Sequence, residues 1–526
     1  MSVPIESEPI TAEVGSTPGL QPMPLRVPVA DRGVQTRSLS VRPWQLALVF
    51  LLLQLAAVIL IGNGGFTDEG IYVLAGTDPL LGREDDVAYH LWLDGSPYLF
   101  PLLSGAAYLS AGLVGSRMMA ATLWAIGLVF FSRFVRTYFG HAAALWATLL
   151  LCLNGVFFSV AHLAVYDALA FVAFSACLSC AQQLVRKKSI VWVARVSVWA
   201  ALTVVAKYSA IILLLLSIPV TLISSRRRNG RAVLVCIVFA AALSLAYMAI
   251  IHGQIFPRGA LYILLSHPKY ADRLQLAFQA TYLLLLPLAL AIIAALQLGK
   301  RRARFAWTLV GCGVAWPLLH VLTVESVSLN KHVALSLVFL YPLIGWSFAQ
   351  WWHTRRKLAL TLAVASAVWG AAQFFVLDRY WVDVRAVAEF LLSRLHRQDT
   401  VGSESGWDLA MYAVLSGAST PERFVNGWHL RQGQDPCKLA WVIGTVPEEY
   451  SQGSSPDRQS QDARVSTTAR AAGPDDFALA GARCGFHVVA RFPSERYAIL
   501  PPLVRSVREQ LVVYRNPEFD HIEQAR

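Results

Sequence analysis

An acidic pair follows the first long apolar stretch of this 526-residue chain, in the run Thr67-Asp68-Glu69-Gly70. Charge is costly at the boundary between a bilayer and solvent unless it performs chemistry or binds a ligand. A carboxylate at that boundary can take a proton from a hydroxyl, so Asp68 and Glu69 are candidates for a catalytic base. The alternative is a structural role at a helix N-terminus, where the helix dipole favours negative charge.

Further ionisable residues lie at the ends of later apolar segments. Asp167 precedes one segment, Lys207 follows another, and Lys331-His332 precede a third. Together they describe a membrane face with carboxylates and cations at headgroup level. We predict Asp167 as a further catalytic candidate and the three basic residues as a phosphate-binding set, since cations stabilise charge on a departing phosphate. Helix capping by Asp167 and snorkelling of the lysines to the interface are the alternatives.

The composition places these residues in a membrane protein. Hydrophobic residues make up 56% of the chain and charged residues only 15%, whereas soluble domains carry roughly 25% charged residues. The mean hydropathy is +0.50. A soluble globule cannot bury that much apolar surface.

Apolar segments near the ~20 residues that a membrane-spanning helix needs follow one another along the chain. Leu99–Gly115 is also apolar, but Pro97, Pro101 and its Gly and Ser content predict a re-entrant or interfacial helix. Eleven segments are predicted to span: Trp44–Gly62, Ser116–Phe134, Ala142–Val160, Ala168–Leu184, Ile190–Ala206, Ala210–Ser224, Ala232–Ile251, Tyr282–Leu298, Phe305–Val321, Val333–Trp351 and Leu358–Val376.

Basic residues predict the orientation, because cytoplasmic loops are enriched in Lys and Arg. With the N-terminus inside, the tail and five alternate loops are basic, so the net charge of +12 is mainly a topology signal. We therefore predict no nucleic-acid partner. Instead, the basic residues are predicted to face anionic membrane lipids. We predict a multi-pass protein of the plasma (inner) membrane. The basic loop residues include Arg133, Arg136, Arg186 to Lys188, Arg226 to Arg228, Lys300 to Arg302 and Arg355 to Lys357.

Three regions follow from these patterns. Residues 1–43 are predicted to be a disordered cytoplasmic tail, 44–377 a transmembrane domain with an outer loop at 63–115, and 378–526 an extracytoplasmic soluble α/β domain. The last region shows helical periodicity in Val384–His396. Cys437 and Cys484 are its only cysteines, so a disulfide between them is expected in an oxidising compartment. Short strands are predicted at Ala440–Val446, Phe486–Arg491 and Gln510–Tyr514.

Several loose motifs in a fixed order resemble the C-type (GT-C) glycosyltransferases, which include protein O-mannosyltransferases and the aminoarabinose transferase of lipid A. The resemblance covers roughly residues 44 to 350, and its specificity lies in the order of the motifs. The motifs are Asp68-Glu69 with Tyr72, Gly95-Ser96-Pro97, the run Phe100 to Gly115, Arg117, Tyr166-Asp167-Ala168, Ala206-Lys207-Tyr208, Asn330-Lys331-His332 and Phe339 to Leu343.

The resemblance implies transfer of a sugar from a polyprenyl-phosphate donor to an acceptor on the outer membrane face, with inversion at the anomeric carbon. By that likeness Asp68 is the general base. A phosphate leaves without needing a proton, so one base with cations is sufficient, whereas glycosidases use two carboxylates. The acceptor can be a protein, a polysaccharide or a glycolipid, and neither the sugar nor the carrier length follows from the sequence.

One departure from the aminoarabinose-transferase pattern concerns a metal ion. In that pattern a Glu-Lys pair precedes the proline of the second motif, but Leu99-Phe100 precede Pro101 here. No cofactor is firmly predicted, and a divalent metal ion is left open, with Asp167 and His267 as weak candidate ligands. A lone loop histidine such as His267 is more often simply solvated.

Two other functions are alternatives at this stage. A transporter or flippase for a lipid-linked substrate is expected to show internal repeats and charges at mid-membrane. This sequence shows no repeated halves, and its unusual charges lie near the outer ends of the segments. A non-catalytic assembly protein does not explain why acidic and basic residues gather at one membrane face.

Overall fold

A computed structural model describes most of the chain. The described residues are 41–60, 64–83, 93–187, 189–224, 230–252, 272–325, 328–396, 398–403, 406–425, 434–447, 477, 483–500 and 503–519. The predicted disordered tail, residues 1–43, thus lies almost entirely outside the described residues.

Helices with short connections make up the described part of the region before residue 379. Their bounds are α1 Pro43–Leu60, α2 Thr67–Leu80, α3 Phe100–Phe139, α4 His141–Cys152, α5 Gly155–His162, α6 Asp167–Lys187, α7 Ile190–Ala206, α8 Ile211–Ser224, α9 Gly230–His252, α10 Arg273–Gln297, α11 Lys300–Thr323, α12 Leu329–Thr354 and α13 Arg356–Asp378.

The helices confirm a polytopic membrane protein. Within the described residues, eight helices are long and apolar enough to cross a membrane, and the bent pair α4 and α5 makes a ninth if it is one span. The apolar helices α7 and α8 are shorter. Each of the eleven predicted segments coincides with one of these helices or with the bent pair. Helices are the expected form, because a helix satisfies its own backbone hydrogen bonds inside lipid.

Two breaks interrupt the helices of this region. Helix α3 runs for 40 residues but is interrupted at Ala111 and Gly112, where Gly112 has φ +60° and ψ −156°, a conformation open mainly to glycine. The predicted re-entrant or interfacial segment is therefore a helical arm before this break. Helices α4 and α5 meet at 64°. The Asn154 side chain caps α5 by accepting from the Phe157 N–H at 3.0 Å.

The described residues of the C-terminal region form a five-stranded sheet with helices, as the α/β prediction expected. Strand order is β2-β1-β3-β5-β4, with β1 parallel to both neighbours and the β3–β5 and β5–β4 pairs antiparallel. Cys437 and Cys484 form the expected disulfide. The elements are α14 Arg385–Leu392, β1 Val401–Ser403, α15 Gly406–Leu415, β2 Phe424–Val425, β3 Trp441–Pro447, β4 His487–Leu500 and β5 Leu503–Arg515.

The last hairpin is much longer than predicted, and α15 was not predicted at all. Strands β4 and β5 pair over their whole length, from His487 with Arg515 to Leu500 with Leu503. The hairpin tip reaches the membrane domain, where the Gln279 amide on α10 donates to the Ile499 carbonyl at 3.2 Å. Polar residues in the middle of both strands interrupt the apolar pattern, so the sequence predicts shorter strands than the structure contains.

Helix α2 carries the acidic pair and lies between α3 and α15. A Cβ at Gly76 would lie 1.8 Å from the Pro101 carbonyl oxygen, and one at Gly70 would lie 2.4 Å from the Trp407 carbonyl oxygen. Only glycine permits such close backbone contact at these crossings. The Thr67 hydroxyl also donates to the buried Asp408 carboxyl at 3.2 Å. Helix α2 is therefore positioned by both regions of the chain.

Candidate active site

Glu69 lies in the first turn of α2, and its side chain is fully buried. Arg117 on α3 donates to its two oxygens at 2.9 and 2.8 Å. The N–H groups of Ala164 and Phe66 donate to the same carboxylate at 2.7 and 2.9 Å. Burial opposes ionisation, but the Arg117 charge and these donors hold the pKa of Glu69 below its ordinary value. The carboxylate connects α2 to two other segments.

Asp68 has a different environment, although it is the adjacent residue. Its side chain remains 29% exposed, and its carboxylate contacts the ammonium of Lys331 at the start of α12. The Lys331 side chain is only 2% exposed, and its ammonium lies 5.2 Å from the centre of the Phe66 ring. Asp68 is therefore a carboxylate that an incoming substrate can reach, and its buried side is ion-paired with Lys331.

Asp167 and Lys207 form a second ion pair, fully buried, with Nζ 2.8 Å from Oδ1. Asp167 opens α6, and Lys207 follows the last residue of α7. The Lys207 ammonium also lies 4.8 Å from the centre of the Tyr166 ring. The second oxygen of Asp167, Oδ2, is buried and has no hydrogen-bond partner among the described residues.

His332 lies one residue after Lys331 and belongs to a third cluster. Its Nδ1 is 2.6 Å from Nε2 of His320 on α11, and its Nε2 is 3.5 Å from the Ser209 hydroxyl. Ser209 in turn contacts the carboxyl of Asp94. The Trp316 ring stacks on the imidazole of His332 with ring centres 3.9 Å apart. The predicted phosphate-binding residue thus lies within a row of polar side chains.

The loop that carries Asp94 is held against the end of α7 by its backbone. The Ser96 N–H donates to the Val205 carbonyl, and the Tyr208 N–H donates to the Asp94 carbonyl, both at 2.8 Å. A Cβ at Gly95 would lie 2.2 Å from the Ala206 carbonyl oxygen. The run Gly95-Ser96-Pro97 quoted for its family resemblance therefore places Asp94 beside the Lys207 segment.

The structure brings Asp68 together with Lys331, Glu69 with Arg117, and Asp167 with Lys207. Arg117, Ser209, Asp94 and His320 were not among the predicted site residues. Two of them left a usable signal: Arg117 is itself one of the quoted motifs, and Asp94 is an acidic residue directly before another.

The metal prediction is not tested by these contacts. His267, one of the two candidate ligands, lies outside the described residues. Within the described part of the chain, no three His, Cys, Asp or Glu residues are grouped so that they could hold a metal ion. Asp167, the other candidate, is paired with Lys207.

No protein-family model matches this chain, and no curated protein resembles it in sequence. Solved structures do resemble it in fold. ArnT from Cupriavidus metallidurans in the apo state aligns with a TM-score of 0.51 and 14% identity, over 90% of this chain and 96% of that one. ArnT from the same organism bound to undecaprenyl phosphate gives a TM-score of 0.49 and 13% identity, over 90% and 97%.

A third structure is the oligosaccharyltransferase of Archaeoglobus fulgidus in the apo form, with a TM-score of 0.44 and 12% identity, over 72% of this chain and 64% of that one. The likeness to apo ArnT extends through nearly the full length of both chains, so it includes the helices and the C-terminal domain alike. This chain therefore has the GT-C-like fold that its ordered motifs predicted.

Proposed function

We propose that this protein is an integral-membrane glycosyltransferase that moves a sugar from a polyprenyl-phosphate donor to an acceptor on the outer membrane face. The observation that carries the proposal is the contrast between two adjacent carboxylates. Glu69 is fully enclosed by hydrogen-bond donors, whereas Asp68 is 29% exposed beside a buried lysine. An exposed carboxylate on such a firmly held helix turn is suited to act as a base.

In the proposed reaction the Asp68 carboxylate takes the proton of an acceptor hydroxyl as its oxygen attacks the anomeric carbon. The bond between that carbon and the phosphate oxygen breaks, and the electron pair leaves with the polyprenyl phosphate. A single displacement of this kind inverts the anomeric configuration. Lys331 keeps the Asp68 carboxylate in place, and Glu69 with Arg117 positions the helix turn that carries it.

The departing phosphate gains negative charge, which a nearby cation stabilises. We assign this role to Lys207, whose ammonium has further N–H groups besides the one directed at Asp167. Lys331 contributes positive charge from the adjacent α12 turn, where His332 is the next residue. Asp167 Oδ2, which has no partner among the described residues, accepts a hydrogen bond from a hydroxyl of the bound sugar.

The donor class is tested by incubating the purified protein with a panel of polyprenyl-phosphate sugars. We expect one donor class to be consumed, by transfer or by slow hydrolysis, with release of polyprenyl phosphate. Nucleotide sugars should not be consumed, because the proposed site binds a single phosphate at the membrane surface. Movement of an intact lipid-linked sugar across a vesicle membrane, with no donor consumed, would instead identify a transporter or flippase.

The outer location of the site gives a separate prediction. Glu389 on α14 and Thr354 at the end of α12 are both exposed but lie on opposite sides of the predicted membrane. In intact cells, Glu389→Cys should react with a membrane-impermeant maleimide and Thr354→Cys should not. Both variants should react after the cells are opened. Labelling of Thr354→Cys in intact cells would reverse the orientation and place the site inside.

A further inference from the structure

A row of hydrogen bonds joins four segments next to the proposed phosphate site. His320 Nδ1 is 2.7 Å from the Glu325 carbonyl oxygen, and His320 Nε2 is 2.6 Å from His332 Nδ1. The row continues from His332 Nε2 to the Ser209 hydroxyl at 3.5 Å, and from that hydroxyl to Asp94 Oδ2. The Ser209 N–H also donates to Asp94 Oδ1 at 3.2 Å.

The carbonyl at one end determines the direction of every bond in this row. A carbonyl oxygen only accepts, so His320 Nδ1 must carry a hydrogen, and Nε2 of the neutral ring is then an acceptor. His332 Nδ1 must therefore donate to it. The remaining nitrogen of a neutral His332, Nε2, is then an acceptor that faces the Ser209 hydroxyl.

The Ser209 hydroxyl has one hydrogen, and two neighbouring atoms can accept it: His332 Nε2 and Asp94 Oδ2. If Asp94 is ionised, the Ser209 hydrogen goes to the carboxylate, and His332 Nε2 faces only oxygen lone pairs. If Asp94 is protonated, its own O–H donates to Ser209 and the serine donates to His332. Only the second arrangement satisfies every member of the row while both imidazoles stay neutral.

We infer that Asp94 is a protonated, uncharged carboxylic acid, kept so by the row Ser209, His332 and His320, and that it is a positioning residue for the donor phosphate. Rows of buried hydrogen bonds are stable when every member is satisfied. A positive charge on His332 is the other place for this proton, and the neighbouring lysines of the site oppose it by repulsion.

The charged and titratable groups around Asp94 come from several segments. Burial raises the pKa of Asp94, which Lys207 opposes and Asp167 reinforces. Because its pKa is raised, Asp94 keeps its proton at a pH where an ordinary Asp has lost it. The groups that face Asp94 are Lys207, Asp167, Tyr166, Tyr208 and His332.

This inference extends the proposed function by giving Asp94 a role toward the donor. Lys207 is already paired with Asp167, so a second carboxylate charge nearby would cancel the attraction for a phosphate. A neutral Asp94 leaves the lysine available. The affinity for a polyprenyl phosphate should therefore fall as the pH rises through the pKa of Asp94.

Infrared difference spectroscopy tests the protonation directly, with no donor present. The spectrum of the parent minus Asp94→Asn, in an ester-free detergent near pH 7, should contain a protonated-carboxyl C=O band. The band should be lost or weakened in His332→Phe, because Ser209 is then free to donate to an ionised Asp94. Asp383→Asn, which removes a partly exposed carboxylate paired with Arg385, is the control for the difference spectrum. A parent spectrum without the Asp94 band would overturn the inference.

Binding of undecaprenyl phosphate at two pH values tests the consequence. At a pH above the pKa of Asp94 the parent should bind the lipid on the order of 10-fold more weakly than at a pH below it, beyond any loss in Asp94→Asn, which has no proton to lose at this position. An equal pH dependence in both proteins would overturn the positioning role of Asp94. Failure of both to bind the lipid at any pH would count against the proposed donor, while the infrared band would still decide the state of Asp94.

Discussion

Asp68→Asn is expected to lower sugar transfer by about 100-fold to 10,000-fold, the range typical of losing a positioned base. Asparagine keeps the size and shape of the side chain, and its carbonyl can still accept a hydrogen bond from Lys331. It cannot take the proton of the acceptor hydroxyl. Turnover in the donor assay should therefore collapse, while thermal unfolding in detergent stays near that of the parent.

The chain offers a matched control for this substitution. Asp383 is also a partly exposed carboxylate paired with a cation, with its side chain 35% exposed next to Arg385. Asp383→Asn should leave transfer unchanged, since this residue lies outside the proposed site. Full transfer by Asp68→Asn would refute the base assignment and make Asp167 the next candidate. If Asp167→Asn were also active, the transporter or flippase would become the better explanation.

Breaking the Glu69–Arg117 pair should have the largest effect on stability. Both side chains are almost completely buried, so replacing one leaves the other charge without compensation, at a cost of about 3 to 5 kcal/mol. Glu69→Gln and Arg117→Met should each lower the free energy of unfolding by this order, measured by chemical denaturation in detergent. The double variant should lose less than the sum of the two single losses, because no lone buried charge remains.

The same pair predicts an acid sensitivity of a definite sign. The folded pKa of Glu69 is lowered, so its stabilisation is fully present above its unfolded pKa of about 4.3 and is lost as the pH falls through the folded value. Glu69→Gln should lack this component of acid unfolding.

The partly exposed pair Asp383–Arg385 is the control for stability, and its loss should cost no more than about 1 kcal/mol. A Glu69→Gln variant as stable as the parent but inactive would show that Glu69 takes part in the chemistry. A variant that is destabilised yet active when folded supports a structural role. Two different measurements thus distinguish the roles of the acidic pair: turnover reports on Asp68, and stability reports on Glu69.

Hydropathy was sufficient to predict the membrane helices. In lipid each apolar segment must satisfy its own backbone hydrogen bonds, so segment composition translates directly into a helix. The same physics made charged residues at segment ends conspicuous, because charge there is costly. Asp68, Glu69, Asp167, Lys207 and Lys331 could therefore be named as site candidates before any contact was known.

Which of these residues meet, and in what state, depended on tertiary contacts. Asp68 and Lys331 are separated by 263 positions, and no local pattern indicates that they touch. The adjacent Glu69 points from a different side of α2, because successive residues on a helix project about 100° apart. It therefore meets Arg117 and is enclosed, while Asp68 stays accessible.

The row from Asp94 to His320 is the clearest case of information that only the fold contains. An acidic residue in a loop, a serine after a lysine and a histidine at a helix end are each unremarkable in sequence. Their significance comes from the directions of the hydrogen bonds that join them, and those directions are fixed only when the Glu325 carbonyl, in the turn after α11, ends the row. Composition and periodicity respond to burial and secondary structure, whereas proton positions are set by partners brought together across the chain.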